Sequence, residues 1–152
     1  MQTRRKTLQH SAVVASLLAT SGLFPHTAFA AWNKVAFEAK GFTDALKGMT
    51  AGAPVESKDV TITGPDIAEN GAVVPIGAAT ALAGVKQLLI LVEKNPAALV
   101  AVFNITDSID ANVSTRTKMG QSSDVYAVAI MNDGRALYAK KEVKVTLGGC
   151  GG

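Results

Sequence analysis

Histidine and cysteine are almost missing from this sequence of 152 residues, which holds two histidines and one cysteine. Both histidines, His10 and His26, precede residue 31, in a segment that we expect to be removed from the mature protein. The rest of the chain therefore lacks the commonest general base and the commonest transition-metal ligand. A Cys-His nucleophile pair, a haem-attachment motif and a zinc site with imidazole ligands are excluded. We expect no catalysis by this chain alone and no cofactor.

An excess of positive charge is also missing once the first thirty residues are set aside. Removing Arg4, Arg5 and Lys6 from the 15 lysines and arginines leaves 12, which equals the 12 aspartates and glutamates. The basic pI therefore belongs to the N-terminal segment alone. Because the remaining chain has no basic run and no aromatic-rich strand motif, we expect no nucleic-acid partner.

The first thirty residues have the order of features that is typical of a secretory signal. The charged start Arg4-Arg5-Lys6 precedes an apolar stretch, roughly residues 12–24, that is too short to span a bilayer as an ordinary helix. A small-x-small cleavage pattern, Ala28-Phe29-Ala30, follows it. The paired arginines favour the twin-arginine route, although a general export signal also fits.

From this pattern we expect a signal peptide over residues 1–30 and a mature protein that begins at residue 31 and resides in the periplasm. No attachment to the membrane is expected after removal of the signal. The alternative is an N-terminal anchor that stays attached to the protein.

Residues 31–147 predict one domain that is mainly β. Apolar residues at helical spacing predict an N-terminal helix as far as about Lys47, with Gly48 as its stop and Gly41 as a point of interruption; they are Val35, Ala39, Phe42, Ala45, Leu46 and Met49. Seven strands separated by turn residues predict an immunoglobulin-like antiparallel β-sandwich with a flexible C-terminal tail. The predicted strands are about 58–63, 72–77, 85–92, 99–106, 111–117, 123–131 and 135–147.

The segment from Leu88 to Val92 is apolar at every position. One interpretation is a central strand that is buried between its own sheet and the N-terminal helix. The other is a strand with one face against a second protein chain. In that case the preceding small residues, 77–84, form a flat surface for close approach, and the partner surface extends over residues 77–92.

The C-terminal residues join a strand directly to a reactive side chain. The sequence Val143-Lys-Val-Thr-Leu147 is followed by Gly148-Gly-Cys-Gly-Gly152. Glycine has no Cβ and adopts both signs of φ, so Gly148, Gly149, Gly151 and Gly152 predict a thin swinging arm around Cys150. Extended, this arm places Cys150 about 10 Å beyond Leu147. We expect residues 148–152 to present the thiol to several proteins in turn.

Glycine at a terminus can also be mere slack. A lone cysteine in an oxidising compartment, however, is exposed to dimerisation and over-oxidation, which favours a chemical role for Cys150. Nothing in the neighbouring sequence predicts a lowered thiol pKa. Activation must then come from the enzyme that receives the thiol, which indicates a carrier rather than a catalyst.

Several segments together resemble the SoxY family, the carrier subunits of bacterial Sox thiosulfate oxidation. The ending Gly148-Gly-Cys-Gly-Gly152 after a Val-x-Val-Thr strand is the most specific of them. The others are Pro65-x-Ile-Ala-Glu-Asn-Gly71, Val74-Pro75, Glu93-Lys-Asn-Pro96 and Ser114-Thr-Arg116. Ala97-Ala98 is plainer than the family pattern. The Asn70-Gly71 and Asn95-Pro96 pairs are interpreted as turn-forming residues and not as contacts to substrate.

The resemblance implies an immunoglobulin-like fold, a SoxZ-like partner subunit and Cys150 as the attachment site, with the four flanking glycines as the arm. It further implies that a haem-containing enzyme conjugates thiosulfate to the cysteine as an S-thiosulfonate. A manganese-dependent hydrolase then releases sulfate, and in some organisms a molybdenum sulfane dehydrogenase oxidises the remaining sulfur.

Two other functions stay open at this point. In a thiocarboxylate carrier the Gly152 carboxylate would carry the sulfur, but that activation needs ATP, and deletion of Gly151 and Gly152 would distinguish it. In a secreted structural β-sandwich, Cys150 would form an intermolecular disulfide, which leaves the four glycines without a purpose. A prenylation signal is excluded because its cysteine would be fourth from the end.

Overall fold

The computed structural model describes residues 33–49 and 51–147. The predicted signal segment, 1–30, and the predicted arm, 148–152, lie outside these residues. Two short helices and nine strands occur in the described ranges. In chain order they are α1 (Lys34–Phe37), α2 (Phe42–Gly48), β1 (Pro54–Glu56), β2 (Val60–Thr63), β3 (Ile67–Asn70), β4 (Val74–Thr80), β5 (Val85–Val92), β6 (Leu99–Asn104), β7 (Asn112–Thr117), β8 (Ser123–Met131) and β9 (Ala136–Leu147).

The strands form two sheets that pack face to face, as the predicted immunoglobulin-like sandwich requires. The larger sheet has the order β1-β9-β8-β5-β6, with β3 paired to β9 off this path. The smaller sheet has the order β2-β4-β7. Most pairs are antiparallel, but β1 and β3 each run parallel to β9, which the sequence did not indicate.

Strand β5 shows how the two faces of the larger sheet are covered. Its alternate residues Leu88, Ile90 and Val92 face the smaller sheet and form the main core. Leu89 and Leu91 face the other way, into a second core beneath the helices. All five side chains are completely buried. The described chain itself therefore covers both faces, which confirms the interpretation of a central strand between its own sheet and the N-terminal helical segment.

The prediction of a partner surface over residues 77–92 is wrong for those residues that the sandwich itself buries. Gly77 and Ala78 lie inside the sandwich, where β4 sits between β2 and β7. A Cβ at Gly77 would overlap the Thr63 hydroxyl and come within 3.2 Å of the Val113 carbonyl oxygen. The close approach that these small residues permit is thus made by neighbouring strands of the same chain.

The predicted N-terminal helix is broken into two at Gly41. This glycine has φ of 109°, a conformation that other residues rarely adopt, and it is the N-cap of α2. α2 ends at Gly48 as predicted. A Cβ at this position would lie only 2.8 Å from the Ala36 backbone of α1, so the packing of the two helices requires a glycine here. The helical register of the first turn was wrong: Val35 is 72% exposed and Ala36 is the buried residue.

The seven predicted strands all occur, most of them with ends shifted by one to three residues. β1 and β3 were missed because they are only three and four residues long and follow or precede turn residues. Strands this short have no recognisable alternation of apolar and polar residues. Their conformation is stabilised by pairing with the long strand β9. Among the described helices, none is long and apolar enough to span a membrane.

Candidate functional site

The predicted site residues Gly148, Gly149, Cys150, Gly151 and Gly152 lie outside the described residues. What the structure describes is the point from which they extend, the C-terminal end of β9. We call residues 144–147 of β9 the tail root. The distance from Leu147 to Cys150 is three residues, so the Cα atoms of the two are separated by at most about 11 Å.

The tail root has a different strand partner from the rest of β9. The ladder with β8 runs from Ala136, opposite Ile130, to Val143, opposite Ser123, and ends there. From Lys144 onward the partner is β3, on the opposite edge of β9, with Lys144 beside Ile67 and Leu147 beside Asn70. The root is therefore a short two-stranded parallel ribbon that projects past the main sheet.

Besides the ladder with β3, two backbone N–H groups and one side-chain hydroxyl of the tail root donate hydrogen bonds. The Lys144 N–H donates to the Asp66 carbonyl oxygen at 2.9 Å. The Val145 N–H donates to the Ser122 hydroxyl oxygen at 2.9 Å, where a continued β8 would have offered a carbonyl. The Thr146 hydroxyl donates to the Glu69 carbonyl oxygen at 3.1 Å.

Lys141 ties the loop before β3 to β9. Its Nζ donates to the Gly64 carbonyl oxygen at 2.6 Å and lies 2.9 Å from Asp66 Oδ1. The hydrogen bond from Lys141, together with its positive charge, lowers the pKa of the Asp66 carboxyl below its ordinary value. Because Asp66 also supplies the carbonyl that binds Lys144, this one lysine steadies the strand on which the root rests.

Sequence reasoning did not single out Lys141 or Ser122. A signal for Lys141 was present: it shares the alternating phase of Ala139, Val143 and Val145, which face the core. A lysine in that phase must bury its stem and direct its ammonium to an acceptor. Ser122 gave no such signal, because its hydroxyl accepts the Val145 N–H only where the β8 ladder has ended.

The family-like segments of the sequence lie on neighbouring strands and turns, and one of them contains β3, the partner of the tail root. Residues 65–71 contain β3, and the Gly71 carbonyl accepts from the Met119 N–H at 2.7 Å. Asn95 of the 93–96 segment donates through Nδ2 to the Lys118 carbonyl at 2.8 Å. Pro75 and Arg116, from the two remaining segments, are direct cross-strand partners on β4 and β7.

The interpretation of the two asparagines as turn-forming residues is confirmed. Asn70 Oδ1 accepts from the Ala72 N–H at 2.8 Å, which fixes the turn after β3. Asn95 lies in the β5–β6 connection, where its own N–H donates to the Val92 carbonyl. Both side chains are occupied in shaping the loops near the root.

An open groove of about 1100 Å³ lies at the opposite end of the sandwich. The connections between β4 and β5 and between β6 and β7 line it, together with Asn132 from the turn before β9. The twelve residues of β9 rise by about 3.3 Å each, so roughly 36 Å separates the beginning of this strand, next to the groove, from Leu147. A reach of about 11 Å cannot bring Cys150 there.

Within residues 33–49 and 51–147, no three histidine, cysteine, aspartate or glutamate side chains are grouped closely enough to hold a metal ion.

Comparison with known proteins gives a family and a structural neighbour. The sequence model of the family described as "Sulfur oxidation protein SoxY" matches residues 46–150. The solved structure of the sulfur carrier protein SoxY from Chlorobium limicola f. thiosulfatophilum is similar, with a TM-score of 0.56 and 34% sequence identity. The match covers 62% of this chain and 84% of that one.

A superoxide reductase (neelaredoxin) variant from Ignicoccus hospitalis has the same fold, with a TM-score of 0.51. The match covers 70% of this chain and 90% of that one, and at 14% identity the likeness concerns the fold alone. A search of curated protein sequences found no match.

Proposed function

The chain belongs to the SoxY family of sulfur oxidation proteins, and from that premise we propose that it carries intermediates of thiosulfate oxidation covalently on Cys150. The family match is the observation that supports this most strongly, because it runs from residue 46 to residue 150 and so includes the cysteine. A role as a sulfur carrier, and not as an enzyme, agrees with the Chlorobium neighbour.

The proposed loading step joins the Cys150 sulfur to the sulfane sulfur of thiosulfate. The S–H bond breaks, an S–S bond forms, and the adduct is Cys–S–S–SO3⁻. The thiol proton passes to water, and the two electrons released would be accepted one at a time by the haem-containing conjugating enzyme. Because no cation beside Cys150 in the sequence favours its thiolate, that enzyme supplies the activation.

The proposed unloading step is hydrolysis of the terminal S–S bond. Water adds to the sulfonate sulfur, sulfate and a proton leave, and Cys150 retains a persulfide. No electrons are exchanged in this step. A manganese-dependent hydrolase performs it, and a sulfane dehydrogenase oxidises the remaining sulfur where the pathway includes one. The intermediates stay attached throughout, so small reactive sulfur species do not diffuse away.

The geometry of the tail root supports a presenting role. β9 delivers the chain past the last β8 partner, at the end of the sandwich opposite the groove. The first eight residues of β9 are held in the sheet by β8, and the proposed arm begins directly after the last residue of this strand. Such a placement suits delivery to a cleft in another protein.

The proposal includes a SoxZ-like partner subunit. Within the described part of the chain, no strand pairs with the outer edge of β6, and none of its six residues is charged. Uncharged sheet edges with free backbone groups are places where another β-protein can bind, which supports a partner of that kind. Copurification from the native periplasm tests both the partner and the periplasmic location.

Substitution of the cysteine tests the proposed function directly. Cys150→Ser removes the sulfur nucleophile with almost no change in size, so we expect complete loss of thiosulfate-dependent turnover with the cognate enzymes. Thermal stability and binding to the partner subunit should equal those of the wild type, since residue 150 follows the last strand. A Cys150→Ser protein that still supports turnover would refute the proposal.

A further inference from the structure

Large apolar side chains are exposed at few places on the described surface. Five of them are more than half exposed: Val35, Val55, Ile67, Val73 and Ile109. Single exposed apolar residues are ordinary and need no explanation. Two of these five, however, lie beside the tail root, and their distances from it can be compared with the reach of Cys150.

Ile67 begins β3 and lies beside Lys144, the first residue of the tail root. Three residues of strand and one strand spacing separate its Cα from that of Leu147, a distance of about 11 Å. Its side chain is 58% exposed, whereas its neighbour Ala68 is buried. Ile67 therefore presents its side chain to solvent from the strand that holds the root.

Val73 is the last residue of the turn that follows β3. Its N–H lies 3.5 Å from the carbonyl oxygen of Asn70, and Asn70 is the cross-strand partner of Leu147. A turn of this kind keeps its end residues within about 7 Å, so Val73 lies within about 12 Å of Leu147. Its side chain is 54% exposed.

The short reach of Cys150 fixes which surface an acting enzyme must cover. The Cys150 Cα lies at most about 11 Å from that of Leu147, so an enzyme that encloses the thiol must bring its cleft rim to the tail root. A standard interface buries about 800 Å² on each partner, which corresponds to a disc of radius about 16 Å. A disc of that size centred on Leu147 includes Ile67 and Val73.

We propose, on the basis of the carrier function above, that Ile67 and Val73 are the apolar contacts on which the cleft rim of the enzyme that joins thiosulfate to Cys150 docks. Two separate apolar side chains give a contact that is selective but short-lived. This suits a carrier that must leave one enzyme and bind the next. A larger apolar patch would slow that release.

The molecule contains a matched control for each residue. Val55 is 57% exposed and lies on β1, which also runs parallel to β9 but at its other end, beside Leu137. Ile109 is 54% exposed and lies by the groove at that same distant end. Each control matches its counterpart in exposure, and each lies outside a disc of 16 Å around the root.

The test uses the full mature chain and the purified haem-containing enzyme that conjugates thiosulfate. Initial rates of conjugation are measured against carrier concentration for Ile67→Glu, Val73→Glu, Val55→Glu and Ile109→Glu. We expect the first two to raise KM for the carrier about tenfold with kcat little changed, and the two controls to stay within about twofold of wild type. Ile67→Ala, which keeps a small apolar side chain, should give a smaller rise and guards against misfolding of the glutamate variant.

Alkylation of Cys150 by iodoacetamide, without any enzyme, distinguishes a failure of the docking surface from a failure of the carrier function. It should proceed at one rate in all variants, because it needs only an accessible thiol. Equal KM values for the Ile67, Val73 and control variants, with a wild type that is conjugated normally, would overturn the docking surface and leave the carrier function intact. A wild type that is alkylated but never conjugated would overturn the carrier function itself.

Discussion

The two ends of β9 are built alike and held differently. Each has a short parallel strand beside it, β1 at the beginning and β3 at the end. At the beginning, residues 136–138 also pair with β8, so strands bind both edges. At the end, residues 144–147 have β3 on one edge, and the Ser122 hydroxyl binds Val145 on the other.

This difference separates a part of β9 that is fixed in the sheet from its C-terminal end, from which the predicted arm extends. An interior strand of a sheet opens only when the whole domain unfolds, whereas a two-stranded ribbon is marginally stable by itself. The tail root can therefore open locally while the rest of β9 stays in place.

The largest expected effect on the stability of β9 comes from a substitution that creates a cavity in the core. Leu89 is completely buried and lies beside Val128, which in turn lies beside Tyr138 of β9. Leu89→Ala should lower the free energy of unfolding by about 2–5 kcal/mol. Amide exchange at Leu137 and Tyr138, followed by NMR, should then become at least about 30-fold faster.

Exchange at Lys144 and Val145 in the same sample provides the comparison. If the root opens locally, these two amides keep their wild-type rates within about twofold, because local opening does not depend on Leu89. Equal acceleration at both ends of β9 would mean that the root opens only with the whole domain.

A smaller effect is expected from removing the lysine that ties the β3 loop to β9. Lys141→Met keeps an apolar stem but loses the hydrogen bond to the Gly64 carbonyl and the ion pair with Asp66. The loss of these contacts should speed exchange at Lys144 and Val145 about fivefold and leave Leu137 unchanged.

Its neighbour provides the control for this substitution. Lys140 points the other way, and its Nζ lies 3.5 Å from Asp124 with both side chains well exposed. Exposed pairs contribute little to stability, so Lys140→Met should leave exchange at the root within about twofold of wild type. A root that responds equally to both substitutions would contradict the role given to Lys141.

The smallest difference between the two ends concerns pH. Asp66 at the end of β9 has its pKa lowered by the hydrogen bond and charge of Lys141. Asp133, in the turn before β9, has its pKa lowered by the backbone N–H and the guanidinium of Arg135. In both cases folding lowers the pKa, so the stabilising contribution is complete above the ordinary value of 3.8 and is lost as the pH falls through the lower, folded value.

We therefore expect neither end to change between about pH 5 and pH 8, and both contacts to weaken only below about pH 4. A carboxyl NMR titration measures the two pKa values separately. Lys141→Met should raise the pKa of Asp66 towards 3.8 and leave that of Asp133 where it is. A pKa of Asp66 that stays low in this variant would exclude Lys141 as its cause.

Most of the fold could be predicted from the sequence because the long strands have clear local patterns of apolar residues. β5 and β8, each a long run of mainly apolar residues, were found with their exact ends. β1 and β3 could not be found, since three or four residues next to turn-forming residues have no pattern of their own. Their strand conformation depends on parallel pairing with β9, at distances in the chain that periodicity cannot sense.

The candidate site likewise has one part that could be predicted from the sequence and one part that could not. Cys150 and its glycines are apparent from the sequence, because a single cysteine among glycines has few structural uses. The tail root was not apparent, because it depends on where the β8 ladder ends and on which strand then accompanies β9. Ile67 and Val73 are ordinary apolar residues in the sequence, and only the fold brings them beside Leu147.

The most direct test of the carrier function is the intact mass of the protein purified without reductant from cells oxidising thiosulfate. The proposal predicts added sulfur and sulfonate masses that map to the Cys150 peptide and disappear on reduction. A single unmodified mass, or only a disulfide dimer through Cys150 under every growth condition, would contradict it.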